Sequence, residues 1–153
     1  MLVVVQRVAR AAVHVDGRAV ARIERGLLLL ACAVAGDTPA EVDWLAEKLA
    51  GLRIFEDAQG LTNLALPDVG GAVLLVPQFT LAADWRKGRR PSFSAAARPE
   101  EAVPLVARLA AGLSSRGLAV QQGVFGAAMQ VELVNDGPFT LVLDSRERPG
   151  RET

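Results

Sequence analysis

The sequence predicts a single α/β domain in which several β-strands accompany two main helices. Its 153 residues suit one compact domain, and the 51% hydrophobic content is enough for a core without disulfides. Strand-like and helix-like hydrophobic periods follow one another along the chain, with no internal repeat. We expect the domain to span residues 1–145, and the charged tail 146–153, which contains Pro and Gly, to be disordered.

The first third of the chain is predicted to form strands. The valine-rich segment 2–8 and the segments 12–15 and 18–23 have strand composition. Asp16-Gly17 lies between the last two and predicts a two-residue hairpin, because a type I′ turn requires positive φ at both central residues. The segment 27–34 is apolar throughout, which is typical of a strand buried on both faces.

Both helices are predicted from their first residues. Thr38 fits an N-cap before Pro39, and Glu41 three residues later completes a capping box. Apolar residues then recur on one helical face, at Val42, Leu45, Ala46, Leu49 and Leu52. The second helix is expected to run from Pro99 to about Arg116. Pro104 should distort its first turns.

The remaining segments are predicted to be strands around one long loop. A strand is expected at 72–81, interrupted by Pro77, and the charged segment 82–99 lacks any period. A loop of this length is often functional. Three closing strands are expected at 118–122, 129–134 and 139–144. Asn135–Pro138 has the composition of a turn joining the last two.

The chain offers little acid–base chemistry. Its one histidine, His14, is expected at the solvent beside the hairpin, and its one cysteine, Cys32, is expected to be a small buried hydrophobe. A Ser-His-Asp or Cys-His site is therefore disfavoured, and no spacing indicates a metal or cofactor. No segment has the length of a signal core or a membrane span, so we expect a cytoplasmic protein.

Two polar segments remain as candidates for function. In a chain of net charge zero, four cations fall within five residues, which favours phosphate binding over a solvated loop: Arg86, Lys87, Arg89 and Arg90. Thr80 could be a nucleophile or a polar contact, although threonine is also an ordinary strand residue.

Gly137-Pro138 is a third candidate, besides being suited to a turn. An X-Pro bond can be cis at small cost. A cis Gly-Pro would direct two carbonyl oxygens with no side chain in the way, and so form a rigid backbone clamp.

Residues 1–145 resemble the D-aminoacyl-tRNA deacylase family. The resemblance is carried, in this order and spacing, by Val5–Val8, Leu52–Asp57, Asp68–Gly71, Gln78–Leu81, Lys87–Phe93, Phe125–Met129 and Asn135–Pro138. It implies a compact barrel-like α/β domain with a mixed sheet. It also implies a homodimer with active sites at the interface, which hydrolyses D-aminoacyl-tRNA, and glycyl-tRNA as a further substrate.

The resemblance also assigns roles to single residues. Gly137-Pro138 enters the partner's site, where its carbonyl oxygens accept the α-amine of a D-aminoacyl group and leave no space for the L arrangement. Arg7 orients this motif. Catalytic positions near the ester and the terminal adenosine match Gln78, Phe79 and Thr80, and pocket positions match Phe125 and Met129. The implied chemistry is assisted by the 2′-hydroxyl of the terminal ribose, without a side chain as obligate base.

Pro77 is a departure from the family pattern, which usually has serine there. A sister family that deacylates mischarged L-alanyl-tRNA carries Pro-Gln at this point, whereas Phe79 and the Asn-Asp-Gly-Pro context favour the D-specific function. Two further alternatives are an RNA-binding module without catalysis, which would use the Arg86–Arg90 cations, and a small-ester hydrolase that would use Thr80.

Overall fold

Six strands form one mixed β-sheet in the computed structural model of the chain, which describes residues 1–150. All eight strands of the described residues, including the two outside this sheet, are β1 (Leu2–Val15), β2 (Arg18–Ile23), β3 (Gly26–Cys32), β4 (Phe55–Glu56), β5 (Thr62–Leu64), β6 (Ala72–Pro77), β7 (Ala119–Gln122) and β8 (Gln130–Asp144). The order in the sheet is β2-β1-β3-β6-β7, and β8 also pairs with β1. β3, β6 and β7 are parallel neighbours, the other pairs are antiparallel, and β4 and β5 form a separate pair.

The long strand β1 makes the sheet curl. One of its edges pairs with β8 from Leu2 to His14, while the other edge pairs first with β3 and then, beyond Ala11, with β2. Irregularities around Val8 interrupt the β1–β8 pairing, and such bulges bend a strand and increase its twist. The sheet is therefore nearly closed, and the barrel-like α/β fold expected from the resemblance is confirmed.

Two helices cover one face of this sheet. They are α1 (Pro39–Gly51) and α2 (Pro99–Ser114). The predicted capping box at α1 is confirmed, since the Thr38 side chain accepts the Glu41 amide and the Glu41 side chain accepts the Thr38 amide. Buried residues from both helices and from alternate positions of β1, β3 and β6 form the main core, including Val5, Leu29, Leu45, Leu75 and Leu109.

A second apolar cluster lies on the opposite face, where the curled sheet packs on itself. It contains Val8, Val13, Ile23, Leu28, Leu74 and Val76. β3 is buried on both faces, as its unbroken apolar sequence predicted. The hairpin is confirmed as well, because Asp16 and Gly17 have φ of 51° and 76°.

Three predictions about these elements were wrong. The segments 129–134 and 139–144 belong to one strand, because β1 continues opposite both of them. The predicted turn 135–138 lies in a bulge instead: Asn135 pairs with Val8 and Thr140 with Gln6, which leaves residues 136–139 unpaired with β1. The strand expected to reach residue 81 ends at Pro77 and is followed by a 3₁₀ turn, Phe79–Ala82. α2 continues through Pro104 to Ser114.

Of the predicted tail, Arg146 donates to Asp144 within a short 3₁₀ turn, and residues 151–153 lie outside the described residues. Within residues 1–150, neither helix combines the length and apolarity needed to cross a bilayer.

Candidate active site

A cavity of about 510 Å³ opens where the parallel strands β3 and β6 end. Its floor and walls are formed by the ends of these strands, the turn after β6, the start of α2 and the segment before β8; they include Cys32, Val76, Gln78, Phe79, Phe93, Pro99, Ala102, Val106, Phe125 and Met129. The carboxyl ends of parallel strands are a common place for ligand sites. Its position makes this cavity the candidate active site.

The lining of the cavity is apolar and almost free of titratable groups. Among the described residues that line it, none is Asp, Glu, His, Lys or Arg, and Cys32 alone can titrate. Burial raises the pKa of the Cys32 thiol, whose Sγ lies 3.4 Å from the carbonyl oxygen of Phe79. A protonated, buried thiol is a poor nucleophile. Any reaction in the cavity must therefore proceed without a side-chain base from its lining.

The turn after β6 brings Gln78, Phe79 and Thr80 to the mouth of the cavity. The backbone amide of Gln78 donates to the carbonyl oxygen of Ala31 in β3, at 2.8 Å, and so holds the start of the turn. Gln78 and Phe79 line the cavity, whereas Thr80 lies beside it and accepts a hydrogen bond from Gln78 Nε2 at 2.5 Å. Phe79 is 58% exposed and makes an edge-to-face contact with Phe93.

The bulge at residues 135–138, called the Gly137 loop below, is held from the inside by Arg7. The guanidinium group of Arg7 is buried and donates to the carbonyl oxygens of Asp136 at 3.0 Å, Gly137 at 3.3 Å and Ile54 at 2.7 Å. It also lies over the ring of Phe139, 4.5 Å from the ring centroid. The Gly137-Pro138 peptide bond is cis.

The Gly137 loop does not line the cavity of its own chain. Arg7 pairs with Leu27 at the start of β3, whereas the cavity lies beyond Cys32 at its other end. Five residues of strand separate the two positions, about 16 Å at the usual rise per residue. The structure thus brings Gln78, Phe79, Phe125 and Met129 together around one cavity, and leaves Arg7 and the Gly137 loop as a separate group.

The four cations lie on a loop whose base adjoins the cavity. Asp84 and Ser92 close this loop through two backbone hydrogen bonds, of 2.7 and 2.9 Å, and Phe93 follows directly into the cavity wall. Arg86 is not free, because its side chain donates twice to Asp84 and thereby lowers the pKa of that carboxyl. Within residues 1–150, no carboxylate forms an ion pair with the remaining cations of the loop, Lys87, Arg89 and Arg90.

Sequence reasoning missed the wall that α2 contributes. Pro99, Ala102 and Val106 face the cavity, and their spacing of three and four residues is that of one helical face. This spacing is visible in the sequence, but it does not distinguish a cavity wall from the core.

His14 lies away from the cavity and is partly buried in β1. Its Nε2 is 3.4 Å from Glu132 Oε2, whereas the sequence predicted that it points to solvent beside the hairpin.

Comparison with known proteins identifies the family. The family model described as D-Tyr-tRNA(Tyr) deacylase matches residues 4–144. A D-aminoacyl-tRNA deacylase from Chloroflexus aurantiacus (strain ATCC 29364 / DSM 637 / Y-400-fl) is 59% identical over 96% of this chain and 92% of its own length. One from Koribacter versatilis (strain Ellin345) is 56% identical over 96% of this chain and 99% of its own length.

Solved structures share the fold of this chain. A structure described as "c-Myc DNA Unwinding Element Binding Protein" is 36% identical, with a TM-score of 0.87 over 94% of this chain and 98% of its own. A probable eukaryotic D-amino acid tRNA deacylase is 18% identical and shares the fold, with a TM-score of 0.77 over 93% of this chain and 97% of its own. The chain therefore belongs to the D-aminoacyl-tRNA deacylase family of hydrolases.

Proposed function

We propose that the protein hydrolyses the ester bond of D-aminoacyl-tRNA. Water adds to the ester carbonyl carbon, the bond to the terminal ribose oxygen breaks, and the products are free tRNA and the D-amino acid. The observation that carries this proposal is the cavity itself, which presents Gln78 and Phe79 at its mouth but has no charged side chain in its described lining. Such a site suits a substrate that brings its own proton-handling group.

A homodimer would complete the site. Val142, Val4, Leu30 and Val76 are direct partners across four strands and form one row on the sheet face that leads to the cavity, called the apolar row below. Val142 at the end of this row is 72% exposed, so it is free to contact a second protomer. A two-fold contact on this face, with its axis perpendicular to the strands, would reverse the strand direction and so place the Gly137 loop of one protomer near the cavity end of the other.

The Gly137 loop would select the D configuration. Arg7 fixes the loop through two of its carbonyl oxygens, and glycine has no side chain to obstruct a ligand. In the partner's cavity, the carbonyl oxygens of Gly137 and Pro138 would accept the α-amine of a D-aminoacyl group; the Gly137 oxygen, which already accepts from Arg7, would use its second lone pair. An L-aminoacyl group would direct its side chain into the same space. Glycyl-tRNA lacks that side chain and would also be accepted.

The substrate would supply the base. Without a titratable base in the cavity, the 2′-hydroxyl of the terminal adenosine is the group guaranteed to lie next to the ester. The protein would contribute positioning by Phe79, Phe125 and Met129. The side-chain amide of Gln78 would stabilise the developing oxyanion with the N–H of Nε2 that it does not donate to Thr80. The cations of the loop between Asp84 and Ser92 would contact tRNA phosphates.

The decisive experiment compares D- and L-aminoacyl-tRNA in single-turnover hydrolysis with the purified protein. We expect rapid release of D-amino acids and no release of their L forms, with glycyl-tRNA hydrolysed as well. L-alanyl-tRNA belongs in the set because of Pro77. Faster hydrolysis of L-alanyl- than of D-alanyl-tRNA would replace this proposal by the L-alanyl-specific activity, and binding without hydrolysis would leave only an RNA-binding module.

A second substrate tests the chemistry. A D-aminoacyl-tRNA that ends in 2′-deoxyadenosine should bind as well as the normal substrate but react about 10²–10⁴-fold more slowly, the usual value of general acid–base assistance. The measurement is single-turnover deacylation of both substrates at saturating enzyme. Equal rates would show that a protein group activates the water.

A further inference from the structure

Trp85 is placed where no structural role accounts for it. Its side chain is 73% exposed, although tryptophan is on average a well-buried residue. Within residues 1–150, its ring makes no contact with another ring or with a cation, whereas Trp44 lies under Lys48 and packs against the core. The exposed indole is therefore free to contact a ligand.

The loop that carries Trp85 is anchored next to the cavity. Trp85 directly follows Asp84, whose backbone pairs with Ser92, and Phe93 directly follows Ser92 into the cavity wall. Trp85 is one residue from Asp84, Asp84 lies opposite Ser92, and Ser92 is one residue from Phe93. The Cα–Cα distance between Trp85 and Phe93 is therefore at most about 13 Å. The double hydrogen bond from Arg86 to Asp84 further restrains the backbone just after Trp85. The backbone at Trp85 thus has a restrained position near the cavity wall.

The charges around Trp85 indicate its ligand. Lys87, Arg89 and Arg90 follow it on the same loop and have no carboxylate partner among the described residues. Cations along a backbone path combined with an exposed aromatic ring are the pattern by which proteins bind single-stranded nucleic acid, with a base stacked on the ring. A protein partner is less suited, because three cations without a carboxylate partner among the described residues follow Trp85 on the loop.

We propose that Trp85 stacks on a base of the unpaired acceptor strand, just upstream of the terminal adenosine whose ester occupies the cavity. This inference rests on the proposed function, since it takes the ligand in the cavity to be the end of an aminoacyl-tRNA. The three cations bind the phosphates of the same strand, and the stacked base aligns the strand with the cavity mouth. Trp85 is thus a positioning residue that acts in substrate binding and not in bond cleavage.

Fluorescence tests the stacking directly. The chain has two tryptophans, so a Trp44→Phe variant reports on Trp85 alone. We expect the RNA tetranucleotide ACCA to quench this fluorescence in a saturable titration. An abasic tetramer of equal charge, and vesicles containing anionic phospholipid, are the controls and should cause little quenching. Equal quenching by the abasic tetramer or by vesicles would overturn the proposal in favour of charge-driven or membrane binding.

Kinetics on the full chain provide the second test. Trp85→Ala should raise KM for D-aminoacyl-tRNA by about 5- to 150-fold, the range that corresponds to stacking of one base, with kcat unchanged at saturation. Trp85→Phe should restore most of the affinity because it keeps a stacking face. An unchanged KM in Trp85→Ala, with unaltered thermal unfolding, would overturn the proposal.

The two proposals can fail separately. If the wild-type protein does not hydrolyse D-aminoacyl-tRNA, the proposed function fails, and base-specific quenching of Trp85 still supports stacking on RNA. If the wild-type protein hydrolyses its substrate while ACCA leaves Trp85 fluorescence unchanged, stacking is refuted and the proposed function stands.

Discussion

At the scale of single residues, Arg7 joins parts of the chain that are distant in sequence. Its guanidinium group donates to carbonyl oxygens of Ile54, Asp136 and Gly137 while it is almost completely buried. A planar group with several fixed donors can satisfy these acceptors together, and a lysine ammonium cannot do so from one position. Arg7 thus couples the conformation of the Gly137 loop to the core of the sheet.

Arg7→Lys should therefore weaken both stability and activity. Hydrogen bonds to charged groups contribute about 1.5–3 kcal/mol, and we expect a loss of this size in the free energy of unfolding, measured in urea. Single-turnover deacylation should slow because the loop is no longer held. Arg108→Lys is the matched control: Arg108 donates twice to Asp43 on the surface, so it should change neither quantity noticeably. Wild-type behaviour of Arg7→Lys would show that the loop holds its shape unaided.

Thr80 is the second residue with a direct test. Its hydroxyl is hydrogen-bonded to an amide, Gln78 Nε2, which is no base, and the histidine that could activate it is paired with Glu132 elsewhere. A hydroxyl nucleophile requires a neighbouring base. Thr80→Ala should therefore keep measurable single-turnover activity, with Thr62→Ala as an exposed control. Complete loss of turnover with normal tRNA binding would identify Thr80 as the nucleophile.

At the scale of elements, the parallel pair β3–β6 is the support of the site, because the cavity opens at its carboxyl ends. Gly26 begins β3 and lies directly against β6. A Cβ atom at Gly26 would lie 1.8 Å from the carbonyl oxygen of Ala72, which is backbone and cannot rotate away. The close approach of these strands requires glycine here for space.

Gly26→Ala should consequently destabilise the protein by about 1–3 kcal/mol or more, the usual cost of overpacking. Gly51→Ala is the control, since nothing lies within 4 Å of a Cβ atom at that position of α1. Glycine in a helix is less favourable than alanine by roughly 0.5–1 kcal/mol, so the control should be neutral or more stable. Urea unfolding of both variants decides the point. Equal stability would mean that the strands separate without cost.

The loop between Asp84 and Ser92 is the other functional element. Replacing Arg89 and Arg90 by alanine should weaken tRNA binding and lower the salt dependence of log K by about one unit per lost phosphate contact. Arg18→Ala, on the exposed β1–β2 hairpin, should leave the slope unaltered. The measurement is tRNA affinity as a function of salt concentration. An unchanged slope in the double variant would make the loop a solvated surface.

At the scale of the whole molecule, the cavity and the Gly137 loop lie apart in one chain, and the apolar row leaves Val142 exposed. Both features fit the two-fold dimer that we propose. Sedimentation at micromolar concentration should give a dimer, and Val142→Asp should give an inactive monomer, because a charge in the contact would be desolvated. Val20→Asp, at an exposed valine of β2, should remain dimeric and active. A fully active monomer would contradict the composite site.

The sequence by itself determined the features whose causes are local. Asp16-Gly17 specified the hairpin through positive φ, Thr38 and Glu41 specified the start of α1, and the apolar run specified a doubly buried β3. The motifs around Gln78 and Gly137 also pointed to the family. Each of these signals lies within a few residues, because turn dihedral angles, helix caps and side-chain periods depend on near neighbours.

Only the tertiary structure decided what meets across long sequence distances. Asn135–Pro138 has the composition of a turn, but β1 pairs on both sides of it and makes it a bulge that Arg7 holds. The wall from α2 and the separation of cavity and loop have the same origin. Pairing partners and register are set by burial and by the rest of the sheet, which no local pattern contains.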